Sequence, residues 1–317
     1  IRYTNNGCQK IRIDKTLNMP EVNRKNNTIR IKGILKKVEP LKLQIIGSMY
    51  HPEKTQIFFI PMLNHNVYSR YSYGLKLYNQ FLHKGGLSYE IIPLYSNATH
   101  NLIGGYDIGY DWYSHSSVFS NVKFYIKGRK NLYERGKEYK RFEPNLEIVL
   151  RKSSFKSKIN NYISASVISL NKESEEQKFF NAKYTFSNAR TLHPYSLHLQ
   201  LEKGEEFTKA NLILNYNYHI NQKKRLNIRG YFGYVSSQNT IYDLQMSAWN
   251  GTNDYSFSEK ALVRDNLQTN KLPYQQQIFI KEGGLKHFTN LTSNNWLSSC
   301  SAEYNLTKIF RLYLETG

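Results

Sequence analysis

Asp107 and Asp111 are the first residues whose types and spacing suggest chemistry. Carboxylates two steps apart on one strand face suit acid–base work or cation binding. Simple alternation also places charges on a wetted wall, and that is the reading adopted here. Lys123 and Lys127 repeat the spacing with the opposite sign, and Asn215, Asn217 and Arg229 continue it with polar groups. His193 and His198 stand at a spacing that fits no helical pair of zinc ligands. No His-Glu-x-x-His, Gly-x-Ser-x-Gly or phosphate-binding glycine loop occurs. Cys8 and Cys300 lie far apart in no ligand spacing. No catalytic, metal or cofactor-binding residue is assigned in this chain.

The elements that position these residues are alternating arms, seen best over residues 211–235. Leu212, Leu214, Tyr216, Tyr218 and Ile220 share one face, while Asn211, Asn215, Asn217 and His219 share the other. After a polar turn at 221–224, Leu226, Ile228, Phe232 and Tyr234 repeat the apolar face. A period of 2 on both sides of a short turn predicts an antiparallel hairpin. Further arms are read at 56–63, 71–81, 87–95, 102–112, 119–128, 146–150, 162–170, 179–186, 195–202, 241–249, 255–263, 296–306 and 309–314. Residues 129–143 read as a longer charged loop. Short connections fall at alternate junctions (82–86, 113–117, 221–224, 305–308), with longer ones between.

About fourteen to sixteen such arms predict an all-β fold, a large antiparallel up-and-down transmembrane barrel. A soluble sandwich would show the same alternation. Three features favour the membrane: arms near the crossing length, charges in mid-strand on the polar face, and aromatic residues toward the arm ends. Leu102, Tyr106, Ile108, Phe124, Leu212, Leu214, Tyr216 and Phe232 are expected to face lipid. Asp107, Asp111, Lys123, Lys127, Asn215, Asn217 and Arg229 are expected to line the lumen.

Composition agrees with many strands, with 26 Tyr and 16 Phe among 317 residues. A mean hydropathy of −0.61 accompanies the absence of any long apolar run, which excludes a helical span only. The formal net charge of +20 is scattered through turns and strand faces, without the footprint of a nucleic-acid binder. Positive charge facing anionic membrane lipid, or simply solvated loops, accounts for the balance; outer-membrane lipid is the expected partner, and no nucleic acid is expected. Residues 1–32 read as the tail of an upstream β domain, with a lone strand at 9–14. Residues 33–54 read as a connector, either a short amphipathic helix or a strand. Residues 55–317 form the barrel. The last arm ends with the chain, so a further strand is expected beyond Gly317, with a gap beside the first barrel strand at 56–59.

Residues 20–30 (PEVNRKNNTIR), 36–43 (KKVEPLKL), 52–56 (PEKTQ) and 74–79 (GLKLYN), followed by 283–286 (GGLK) and 293–297 (SNNWL), carry a resemblance. The chain resembles the C-terminal region of M1-family (gluzincin) metallopeptidase-like proteins with a large β-rich extension. The resemblance implies an outer-membrane barrel in a Gram-negative-type envelope, anchoring a peptidase domain that precedes it. Zinc and peptide substrates would belong to that upstream domain. The alternative is a pore or transporter for small solutes or peptides, and a more distant one is a soluble β-rich binding module.

Overall fold

A computed structural model of the chain describes residues 7, 9–16, 18–20, 27–31, 41–46, 54–80, 86–173, 175–221, 224–247, 254–259, 281–287, 289, 291–305 and 311–317. Strands β1 (Lys10–Arg12) and β2 (Thr28–Arg30) form a small antiparallel pair in which Ile11 faces Ile29. The strand expected to stand alone therefore finds its partner within the same stretch.

The large sheet begins inside the expected connector, which is a strand at β3 (Leu41–Ile45). It continues through β4 (Thr55–Asn66), β5 (Arg70–Tyr78), β6 (Gly86–Ser96), β7 (Leu102–Tyr113), β8 (Phe119–Glu134), β9 (Lys137–Leu150) and β10 (Ile159–Lys172). Then follow β11 (Glu175–Asn188), β12 (Tyr195–Lys203), β13 (Phe207–His219) and β14 (Arg225–Ser237). The short strands β15 (Leu244–Gln245) and β16 (Thr292–Ser293) pair apart from it, and β17 (Trp296–Asn305) and β18 (Arg311–Thr316) complete it. Its fourteen strands run in chain order, β14 passing directly to β17. All neighbours are antiparallel except β3, which lies parallel to β4. β3 occupies the edge of β4 that was expected to face a gap. Among the described residues β18 pairs with β17 alone.

Register carries one parity around the sheet. Leu94 lies opposite Ile103, Asp107 opposite Lys127, Lys123 opposite Glu147, and Asn215 opposite Arg229. On the other face Ile108 meets Ile126, Phe124 meets Leu146, and Leu212 meets Phe232. We call the first face inner, because the described residues between β14 and β17 pack onto it. On the outer face charge appears only on β8, β9, β11 and β12. There Lys130, Glu138, Lys140, Glu176, Lys178 and Lys203 lie beyond the apolar stretch of each strand.

Two sequence expectations change. Residues 129–143 are a hairpin, the tips of β8 and β9 joined through Arg135 and Gly136, whose φ is +78°. Both faces are charged here, so no apolar stripe signals a strand. The alternation of connections is inverted in phase: the junctions at 135–136, 173–174 and 204–206, expected to be longer, carry two or three residues, while those between them and after them, at 151–158, 189–194 and 220–224, carry eight, six and five. The length is concentrated in the single connection 238–295. Its arms at 241–249 and 255–263 do not join the sheet; the described part is a 3-10 turn (Thr240–Tyr242), β15 and an irregular segment at 254–259. Residues 248–250 and 260–263 lie outside the described residues.

Candidate functional site

The inner face is a lattice of charge. Lys76 and Glu90 lie 2.7 Å apart, Lys123 and Glu147 2.7 Å, Arg141 and Glu143 2.6 Å, and Lys127 and Asp107 3.8 Å. Alternation puts these charges on one face: Lys76, Lys123 and Lys127 each stand opposite or diagonal to a carboxylate of the next strand, and Arg141 pairs with Glu143 two residues along its own. Asp107 and Asp111 do share a face, but Gly109 separates them and each faces its own lysine. Four strand residues span roughly 13 Å, so they do not act as a carboxylate pair.

The described parts of the connection 238–295 are seated on this wall by two knots. In the first, Asp254 is fully enclosed. Its Oδ1 accepts from the Ser258 amide (2.9 Å), the Ser258 hydroxyl (2.8 Å) and Lys281 Nζ (2.7 Å), and its Oδ2 accepts from the Glu259 amide (2.8 Å). Arg141 Nε donates to the Ser256 carbonyl at 3.0 Å, and Arg129 Nη1 donates to the carbonyls of Ser258 (3.3 Å) and Glu259 (3.2 Å). Phe257, at φ +52°, drives its ring among Tyr133 and Tyr139. A non-glycine residue held in that region marks backbone fixed by its surroundings.

Glu282 centres the second knot. Its Oε1 lies 2.6 Å from Lys209 Nζ, and its Oε2 accepts from the Gln245 amide at 2.6 Å. Arg229 donates to the Glu282 carbonyl at 2.6 Å and the Gly283 carbonyl at 2.8 Å, and the Ser299 hydroxyl donates to the latter at 2.7 Å. Leu244, Met246 and Leu285 then bury against Tyr231, Val235 and Leu297. Between the knots Tyr242 stacks on Phe207, ring centroids 4.2 Å apart, and Tyr255 donates its hydroxyl to Glu202. Burial pushes the Tyr255 phenol well above its ordinary range, and the charge of Glu202 adds to the shift.

Beside the first knot a cavity of about 510 Å³ remains, bounded by β4, β6, β7, β8 and β9. Among the described residues no group of three His, Cys, Asp or Glu side chains comes together to hold a metal.

The residues singled out in sequence fall as follows. Asp107, Asp111, Lys123, Lys127, Asn215, Asn217 and Arg229 lie on the inner face. Arg229 is consumed in seating the connection, and Asn215 donates to the Ser196 hydroxyl at 3.2 Å. Leu102, Tyr106, Ile108, Phe124, Leu212, Leu214, Tyr216 and Phe232 share the outer face, where Leu102 is 66% and Phe232 51% exposed. Missed in sequence were Arg129, Arg141, Lys209, Asp254 and Glu282. Lys209 was visible as a cation on the polar side of an alternating arm; nothing local marked its partner.

No family model matches the chain, and no curated protein matches it. Among solved structures, the anion-selective porin from Comamonas acidovorans is similar at a TM-score of 0.41 and 10% identity, over 54% of this chain and 51% of that porin. The chain thus spans about half the length of that structure.

Proposed function

We propose that the chain is an outer-membrane β-barrel that passes small polar solutes through a lumen narrowed by its own inward connection. The observation that carries this reading is the opposition of the two faces. The outer one is apolar and exposed across the middle of every long strand, and the inner one is charged and holds the connection. In water such an outer face would demand a second layer; in a bilayer, lipid supplies it. β4 to β14 run 9 to 16 residues, at or above the ~9–11 that a tilted crossing requires. Lys130, Lys140, Lys178 and Lys203, just beyond the apolar stretch, would sit at the level of anionic headgroups.

The anchor reading rests on the metallopeptidase resemblance alone, and none of the comparisons supports it. Reconstitution of the full chain in planar bilayers separates the two. A pore gives discrete conductance steps, which rise when residues 248–287 are replaced by a short Gly/Ser linker. A sealed membrane in both cases refutes the pore and leaves an anchor.

A further inference from the structure

We infer that the cavity of about 510 Å³ beside the first knot binds a short zwitterionic peptide with apolar side chains, an assignment that rests on the lumen reading above. Its volume lies within the roughly 300–1,000 Å³ usual for small-ligand sites. What distinguishes it is how its charges are arranged.

On one side stands Asp107, whose side chain is half exposed and whose one ionic partner among the described residues, Lys127, stays 3.8 Å away, beyond hydrogen-bond reach. Neighbouring Glu90 is already neutralised by Lys76 at 2.7 Å. Asp107 is therefore the carboxylate left to receive an ammonium group. On the other side stands Arg129. Only its Nη1 is engaged, by the carbonyls of Ser258 and Glu259. Its Nε and Nη2 have no partner among the described residues, and the residue opposite it in register is Gly105, which offers no side chain to pair with it. A guanidinium held by one nitrogen and open at the others suits a carboxylate.

The spacing selects the ligand's length. Asp107 faces Lys127 and Gly105 faces Arg129, so Asp107 and Arg129 are diagonal neighbours, with Cα atoms about 7–8 Å apart. A free amino acid carries both charges on one Cα. Each added residue separates them by up to ~3.8 Å more, so two or three residues bridge the site. From the level of Arg129 onward, away from Asp107, the wall turns apolar: Ile92 lies opposite Gly105, Met62 and Leu94 follow one inner-face step farther, and Leu132, 2% exposed, packs toward Leu94 and Ile103 near the break in the β8–β9 register. Leu94, Ile103 and Leu132 pack on one another with Met62 and Ile92 against them, and an apolar side chain laid on that floor would be desolvated.

The test is isothermal titration of the full chain in detergent micelles with Leu-Leu, its N-acetylated form, its C-terminal amide, and Gly-Gly. Leu-Leu should bind saturably, and each blocked form should bind about tenfold or more weakly, as expected for loss of one charge-assisted contact. Gly-Gly should be weaker than Leu-Leu. Asp107→Asn should erase the preference for the free amine, and Arg129→Gln that for the free carboxylate. Blocked forms binding as well as Leu-Leu, or no saturable heat, would overturn the assignment without reliance on any variant's folding. Conductance without peptide binding removes this site and leaves the pore; loss of both removes the pore as well.

Discussion

Lys209 on the wall and Glu282 on the inward connection meet at 2.6 Å, with 1% and 8% of their side chains exposed. No other ion pair in the described structure is so enclosed on both sides. It ties strand β13 to a point seventy-three positions later in the chain. A charge pair removed from water this completely holds position rather than adding net stability, because desolvation offsets most of the attraction.

Breaking that pair from one side should therefore be costly. Lys209→Met leaves the Glu282 carboxylate buried beside Tyr255 and should destabilise the fold by about 3–5 kcal/mol. The double change Lys209→Met with Glu282→Leu should recover most of it. Urea titrations of the detergent-refolded chain measure both; equal loss in single and double variants would mean that the pair is not the seat of the connection.

The opposed faces predict a side-dependent tolerance. Leu214→Arg or Phe124→Arg should cost ~2–4 kcal/mol if the position lies near the bilayer midplane. Asn215→Asp, one step along β13 and opposite Arg229, should be accepted with little change. Folding titrations into lipid vesicles read the difference, and a similar cost at both sites would contradict an outward apolar face.

Gly283 has no room for a side chain. A Cβ there would stand 2.6 Å from the Met246 carbonyl oxygen and 2.8 Å from the Met246 Cα. Both are backbone atoms, so the strain has no flexible end to relax into. Gly283→Ala should lose roughly 1–3 kcal/mol, the usual scale of overpacking. It should also expose the connection to limited proteolysis while the sheet stays protected.

Tyr255 predicts how the connection responds to alkali. Its phenol is held above the ordinary value by burial and by Glu202, so the folded protein keeps a proton that the unfolded chain gives up. The stability this represents is complete below about pH 10, the unfolded value, and is lost as pH rises toward the folded one. Tyrosinate absorbance and proteolysis of the connection should rise together at high pH. In Tyr255→Phe the alkaline loosening should weaken; an unchanged pH profile would show that Tyr255 is not its source.

Much of the sheet was legible because its signal is local. In β13 and β14 the faces alternate residue by residue, and Leu212 and Asn215 declare their sides without knowledge of any partner. The tips of β8 and β9 were hidden for a physical reason. Above the apolar stretch Lys130 and Lys140 point outward while Arg129 and Arg141 point inward, so a strand there looks like a charged loop. The connection was hidden for a different one. Tyr255 and Phe257 alternate as in a strand, but they bury against Phe207 and Tyr139 from elements far away in the chain. Lys209 announced a polar face, and nothing near it in sequence pointed to Glu282.

The seat of the connection has one more consequence. Arg129, Arg141 and Arg229 bind it through the carbonyls of Ser256, Ser258, Glu259, Glu282 and Gly283. A carbonyl is the same whichever amino acid bears it, so Ser256 holds the segment against the wall whatever side chain it displays, whereas the Ser258 hydroxyl also donates to Asp254 and accepts from Lys281, and the Glu259 carboxylate lies 3.8 Å from Lys281. Glu282 is tied by its carboxylate and Gly283 by lack of space. The wall thus grips a ribbon whose lettering is partly free. Position 256 is a place that evolution or an engineer can rewrite to change what the inner face presents, without recasting the sheet that holds it.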